Sequence, residues 1–210
     1  MKRVLLVLAV GAALVATVGA RSATVTGFSG KVEYRLASGW EAVRIGLEIP
    51  LNATISTGFG ASATLEVAGS TIEVAQLTRL TLEELVDDGS TVSTEVFVPV
   101  GRVRASVTTP ADRSSDFRVR TAQSTAAVRG TEFETNGWRI FVREGSVEFQ
   151  NELGQSRVIR SSQISRTRLG GPTDPLEEDN NEANVGDREG PEDFRGRRGP
   201  SGYITVRWGW

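Results

Sequence analysis

The 210-residue chain contains no cysteine and no histidine. It therefore lacks the usual ligands of a zinc site, and Ser-His or Cys-His nucleophile pairs cannot form. Aromatic residues make up 7% of the chain, and no paired girdles are visible, which counts against an outer-membrane barrel. The formal net charge is −2, and the basic residues are not interleaved with aromatics, so no nucleic-acid partner is expected. With no disulfide available, the folded part must hold on its hydrophobic core, and about 150 residues can supply one.

The N-terminus has a basic start, Lys2 and Arg3, then an apolar run from Val4 to Val18. Val18-Gly19-Ala20 offers small residues for cleavage before Arg21, the layout of a secretory signal over residues 1–20. The run is shorter than the roughly 20 residues of a spanning helix. Export to the periplasm or beyond is expected, with membrane contact only if the segment is retained. No cysteine lies near the cut, which excludes lipoprotein attachment.

From Ala23 to Arg168 the sequence reads as a single all-β domain. Short alternating runs rich in Val, Ile, Thr and Phe are punctuated by Gly. "ATISTG" sets Ala53, Ile55 and Thr57 on one face. "ATLEVAGSTIEV" reads as two strands around Ala68-Gly69-Ser70, with Leu65, Val67, Ile72 and Val74 inward. "TRLTLEELV" sets Leu80, Leu82 and Glu84 on one face, and Asp87-Asp88-Gly89-Ser90 is a turn. The strand-turn units recur at irregular spacing, which fits a β-sandwich or a short β-solenoid-like stack of antiparallel strands. Residues 169–200, rich in Gly, Pro, Asn and acids, read as a disordered linker. Residues 201–210 read as a C-terminal strand with Ile204, Val206, Trp208 and Trp210 on one face. Such a strand can dock on an edge of its own domain or add to a partner's sheet. Its terminal Trp210 also fits the last strand of an outer-membrane barrel.

Charge is divided along the chain. Lys31 to Glu95 holds four basic and ten acidic residues, and Arg102 to Arg168 holds twelve and seven, net −6 and +5. Surface solvation, attraction between the halves, or an Arg-rich face for an acidic partner would each account for this.

"STAAVRGTEFET" (Ser124 to Thr135) is the most distinctive stretch. Gly130 supplies backbone freedom for a sharp turn, and Val128 and Phe133 point inward on either side. Thr125, Ala126 and Ala127 allow close approach of the backbone. Arg129 can spend its five donors on turn carbonyls, on Glu132 or Glu134, or on a partner. The stretch closely resembles the signature of the FecR domain, the periplasmic domain of ferric-citrate-type regulators. "GWEAVRIGLEI", "TISTGFGASATLEVAGSTIEV", "GRVRASV" and "VREGSVEF" follow the same family's order, so the resemblance runs from about Gly30 to Gln163. It makes Val128, Arg129, Gly130, Thr131 and Phe133 a structural motif and Arg129 a candidate binding residue. The family's Gly-containing turn near the domain end is replaced by "SSQIS". Only Met1 to Arg3 precede the apolar run, so direct contact with a sigma factor is not expected.

No catalytic constellation, cofactor site or metal site emerges. The acids at Glu177, Glu178, Asp179 and Glu182 lack the fixed spacing of a calcium loop. The chain is expected to be a non-catalytic binding or assembly module of the cell envelope, with an envelope protein or a glycan as partner. The alternatives are a cell-wall or surface glycan sensor and an outer-membrane barrel.

Overall fold

The computed structural model describes residues 22–37, 39–109, 111–168 and 170–175. The proposed signal at 1–20 and the C-terminal strand at 201–210 lie outside the described residues, as does nearly all of the proposed linker. Among the described residues, no helix is long and apolar enough to cross a membrane.

The first half of the fold comprises β1 (Ser22–Ser29), β2 (Val32–Leu36), β3 (Gly39–Ala42), β4 (Glu48–Pro50), β5 (Thr54–Thr57), β6 (Ser62–Val67), β7 (Ser70–Val74), β8 (Arg79–Asp87) and β9 (Thr91–Val100). The second half adds β10 (Val103–Ser106), β11 (Ser114–Thr121), β12 (Ser124–Val128), β13 (Glu132–Thr135), β14 (Arg139–Glu144), β15 (Ser146–Asn151), β16 (Ser156–Arg160), β17 (Gln163–Arg168) and β18 (Gly171–Pro172). The first sheet has the order β18-β17-β14-β13-β10-β7-β6-β1-β4, and the second β16-β15-β12-β11-β9-β8-β5-β2-β3. Late strands lie at one end of both sheets and early strands at the other. The chain thus makes a hairpin in one sheet, crosses to the other, and advances along the stack. Sandwich and solenoid-like stack are here one arrangement, two open sheets that grow together. The barrel alternative is overturned for the described strands, which form two separate sheets around a filled core.

The alternation in sequence produces this packing because successive residues of a strand face opposite sides. Ile55, Leu65, Val67, Ile72, Val74, Leu80 and Leu82 are buried as the pattern requires. Phe117, Val128 and Phe149 from the second sheet and Phe133 and Ile140 from the first are also buried, in one continuous core. Ala68 and Gly69 make the β6–β7 turn with φ of 48° and 77°, the positive values that a two-residue hairpin of matching twist needs.

Three local readings are corrected. Glu84 is exposed rather than on the face of Leu80 and Leu82. A bulge between Leu82 and Glu84 breaks the alternation, and Leu85 becomes the next residue to pack on the core. In "KVEYRL" alternation sets Val32, Tyr34 and Leu36 on one face, but Leu36 is exposed because β2 reaches the rim of the sheet there. The fold continues past Arg168: Thr167 and Arg168 pair with Pro172 and Gly171, and the Ser165 hydroxyl donates to the Thr173 carbonyl at 2.8 Å. Where the family's late glycine is missing, Ser162 takes the left-handed conformation, φ 64°.

The two long edges of the sandwich differ. One carries the turns after β5, β7, β9, β11, β13 and β15, tied by threonine hydroxyls; we call it the threonine edge. Thr57 Oγ1 donates to the Ala75 carbonyl at 2.6 Å and accepts the Thr78 amide at 3.0 Å. Thr78 Oγ1 in turn accepts the Arg102 amide at 3.0 Å. Further along, Thr121 Oγ1 accepts the Ser124 amide, and Ser124 Oγ donates to the Gly137 carbonyl at 2.7 Å. The opposite edge carries the Asp87–Ser90 turn, the β10–β11 crossing and the Arg129–Gly130 crossing; we call it the signature edge.

Candidate functional site

Ser124–Val128 is not merely a small-residue approach to a turn. It is β12, a central strand held between β11 and β15. Ser124, Ala126 and Val128 face the core, while Thr125 and Ala127 face outward. The chain then leaves the second sheet through Arg129 and Gly130 and enters the first at β13. Gly130 has φ 89°, a left-handed value that favours glycine. Thr131 is buried and locks the crossing: its Oγ1 donates to the Ser146 carbonyl at 2.9 Å, and its carbonyl accepts the Val107 amide at 3.0 Å. Val128 and Phe133 are both buried, one in each sheet. The motif is thus a bridge between the two sheets.

Arg129 is the exception within it. The side chain is exposed, and among the described residues it makes no hydrogen bond or ion pair. Its expected acidic partners are taken by others: Glu132 by Arg143 at 3.5 Å, and Glu134 by Arg102 at 3.3 Å and Arg104 at 3.1 Å. The expectation that Arg129 ties the turn is therefore corrected. Gly130, Thr131 and Gly145 suffice; a Cβ at Gly145 would lie 2.9 Å from the Gly130 carbonyl. Because Ala127 is short, an outward groove opens over β12, walled by Asp116 and Arg118 on one side and Glu148 and Val158 on the other, with Arg129 beside them. Asp116 and Arg118 pair at 2.7 Å. The groove offers both charge signs and an alanine floor, a surface suited to an extended polar chain.

The divided charge has a structural use. Arg104 meets Glu73 at 3.2 Å across β7–β10, and Arg113 meets Asp87 at 2.6 Å. Arg120 bridges Glu83 and Glu95, the latter at 3.1 Å, and its guanidinium lies 4.4 Å from the centre of the Phe97 ring. Hydrogen bonds to Glu83 and then Glu95 raise the Arg120 pKa, and the charge of Asp87 raises that of Arg113. Exposed pairs of this kind contribute little one by one, but all three arginines join the acidic first half to the basic second half. In the second sheet that seam is the parallel β9–β11 pairing, where no hairpin fixes the register. Attraction between the halves is thus the explanation that the geometry supports.

Among the described residues no group of three or more acidic side chains could hold a metal ion. In the Glu83–Glu84 pair, Glu83 is engaged by Arg120, and the bulge sets Glu84 opposite Glu95. Neither sequence pattern nor motif pointed to the threonine hydroxyls of the opposite edge or to the apolar tips beside them. Their signal is the recurrence of Thr next to glycine-containing turns, which is visible only once the turns are stacked.

These features define an all-β two-sheet domain built around a Val-Arg-Gly-Thr bridge. Residues 53–148 match the family model described as FecR protein. Over those residues the chain is similar to the FecR family. The match lies inside the longer span from Gly30 to Gln163 over which the resemblance was read, and it includes the whole bridge. No curated protein matches the chain. Two solved structures, each described as a candidate anti-sigma factor from Parabacteroides distasonis, align at 19% identity with TM-scores of 0.46 and 0.45. Each alignment covers 53% of this chain and 53% of the other, so the matched part is about half of either protein.

Proposed function

We propose that the chain is an exported, non-catalytic binding or assembly module of the bacterial cell envelope, working in envelope signalling through the groove beside Arg129. The observation that supports this reading is the contrast within the motif. Val128, Thr131 and Phe133 are buried and engaged, whereas Arg129 is exposed and spends no donor on the described fold. A planar guanidinium with five free donors suits recognition of a carboxylate or a run of backbone carbonyls. The mixed charge of Asp116, Arg118 and Glu148 favours a polypeptide over a uniformly anionic ligand. The periplasm or the extracellular side is the proposed location.

The test is photocrosslinking in producing cells from a reactive residue at Ser146, with one at Ser90 as the control. A discrete adduct from 146 but not 90, lost in Arg129→Ala, is expected. Arg129→Ala should change folding stability by less than about 0.5 kcal/mol, as for an exposed side chain without partners. Unfolding of that variant, or an adduct indifferent to it, would sink the reading. Retention of the purified protein on pelleted peptidoglycan, abolished by Arg129→Ala, would replace the protein partner with a glycan.

A further inference from the structure

The threonine edge carries a feature that the Arg129 groove does not use. Six large apolar residues are more than half exposed: Ile45, Phe59, Leu77, Val100, Trp138 and Leu153. Phe59, Leu77, Trp138 and Leu153 sit in crossings or hairpin turns of this edge, Val100 ends β9 beside one, Ile45 lies in the crossing after β3, and Phe59 is 87% exposed. The turns touch in sequence along the stack. The Leu77 amide donates to the Gly58 carbonyl, the Ala75 amide to Arg102, and the Thr167 amide to Trp138. Trp138 and Leu153 line one cleft with Gln123 and Arg168. A run of this kind is larger than the scattered apolar residues of an ordinary surface. The edge also carries cations: Arg44 and Arg79 lie in or next to these turns, with Lys31 and Arg102, which pair with Glu33 at 3.1 Å and Glu134 at 3.3 Å, and with the acids Glu48 and Glu152.

We propose that this edge is the docking site of the chain's own residues 176–210, with the apolar face of 201–210 on the exposed tips and the acidic stretch before it along the cations. Three observations select this occupant. The described chain ends at Pro175, just past β18, and β18 pairs with β17 at the strand end nearest Trp138. Residues 176–193 contain eight acidic residues and one arginine, 194–200 hold three arginines, and 201–210 place Ile204, Val206, Trp208 and Trp210 at alternate positions; the acidic stretch thus suits the cations of the edge and the last residues suit its apolar tips. Reach is sufficient, since 25 intervening residues span at most about 80–90 Å when extended. The row from β18 to β6 crosses six strand spacings, about 29 Å. Tethering also holds the tail at an effective concentration in the millimolar range, which a free partner must outcompete.

The chain's lack of cysteine gives a clean test. The full chain carrying Gln123→Cys and Val206→Cys is oxidised mildly, alongside a control carrying Ser90→Cys and Val206→Cys on the opposite edge. An intramolecular disulfide forming at least tenfold faster in the first pair is the expected result. That excess should shrink in high salt and when Phe59→Asp and Trp138→Asp are added. Equal rates in the two pairs overturn the proposal, and so does a disulfide that links two molecules, which would assign the edge to a second copy. Flotation with phosphatidylglycerol vesicles that is lost in Trp138→Asp, without an intramolecular disulfide, assigns the edge to a lipid surface and also overturns it.

Discussion

The two long edges of this sandwich solve the same problem with different chemistry. Each must carry the chain between sheets while leaving few backbone groups unpaired. The threonine edge does so with buried hydroxyls: Thr57, Thr78 and Ser124 serve backbone groups of a neighbouring turn, and Thr121 those of its own. Its turns interlock, and apolar side chains are pushed outward at their tips. The signature edge uses a carboxylate at Asp88 and a glycine at Gly130, whose nearest neighbour is the Thr109 hydroxyl. Its crossings are tied too, by the Thr131 hydroxyl to the Ser146 carbonyl and by the Thr108 amide to Ser70 Oγ, but Arg129 there is exposed and makes no hydrogen bond or ion pair with the described residues.

The largest expected effect separates the edges by one methyl group. Gly101 and Gly130 have φ of 103° and 89°, so alanine strains the backbone at both by about 1–3 kcal/mol. At Gly101 the new Cβ would also collide with the backbone and side chain of buried Thr78. At Gly130 its nearest neighbour is the Thr109 hydroxyl at 2.9 Å, on an exposed residue that can turn aside. Gly101→Ala should therefore cost about 3 kcal/mol or more, and Gly130→Ala about 1 kcal/mol. Urea denaturation of the two variants measures the difference. Equal losses would mean that the signature edge is as tightly interlocked as the other.

Much of the fold is legible in the sequence because alternation is a local property. Leu65, Val67, Ile72 and Val74 announce their faces within one short stretch. What is hidden depends on neighbours that are distant in sequence. "STAAV" holds two alanines, a residue depleted in strands, at its centre, and it is a strand because β11 and β15 flank it on both sides. The parallel β9–β11 pair arises from a double crossing through β10, which leaves no local trace. Glu84 departs from its expected face through a single bulge. Arg129 could be placed at a turn from sequence, but its freedom follows only from the engagement of Glu132 and Glu134 by other arginines. The apolar tips read singly as ordinary surface residues, and their alignment exists only in the stacked fold.

A second, smaller effect probes the hydroxyl network directly. Thr78 is fully buried, and its Oγ1 donates to the Gln76 carbonyl at 3.1 Å while accepting the Arg102 amide. Thr78→Val keeps the shape but leaves that amide without its acceptor, at a cost of about 1–3 kcal/mol. Because hydroxyls do not titrate in the working range, the loss should be the same at pH 4 and pH 7. A pH-dependent loss would show that the threonine edge is not held as described.

The smallest effect belongs to the signature edge and has the opposite pH behaviour. Asp88 Oδ1 accepts hydrogen bonds from the Ser90 hydroxyl at 2.8 Å and from the Ser90 and Thr91 amides at 2.8 and 2.7 Å. These bonds, led by that of the Ser90 hydroxyl, lower its pKa below the ordinary aspartate value. A carboxyl whose folded pKa is depressed stabilises the fold fully above its unfolded pKa and loses that contribution as pH falls through the folded value. Asp88→Asn should therefore lower Tm slightly at neutral pH, and the gap from the parent should close as the solution is acidified below the usual carboxylate range. Thermal melts of parent and variant across that range measure it. A gap that persists in acid would mean that the turn is held by its shape rather than by the charge of Asp88, and the two edges would then differ in packing alone.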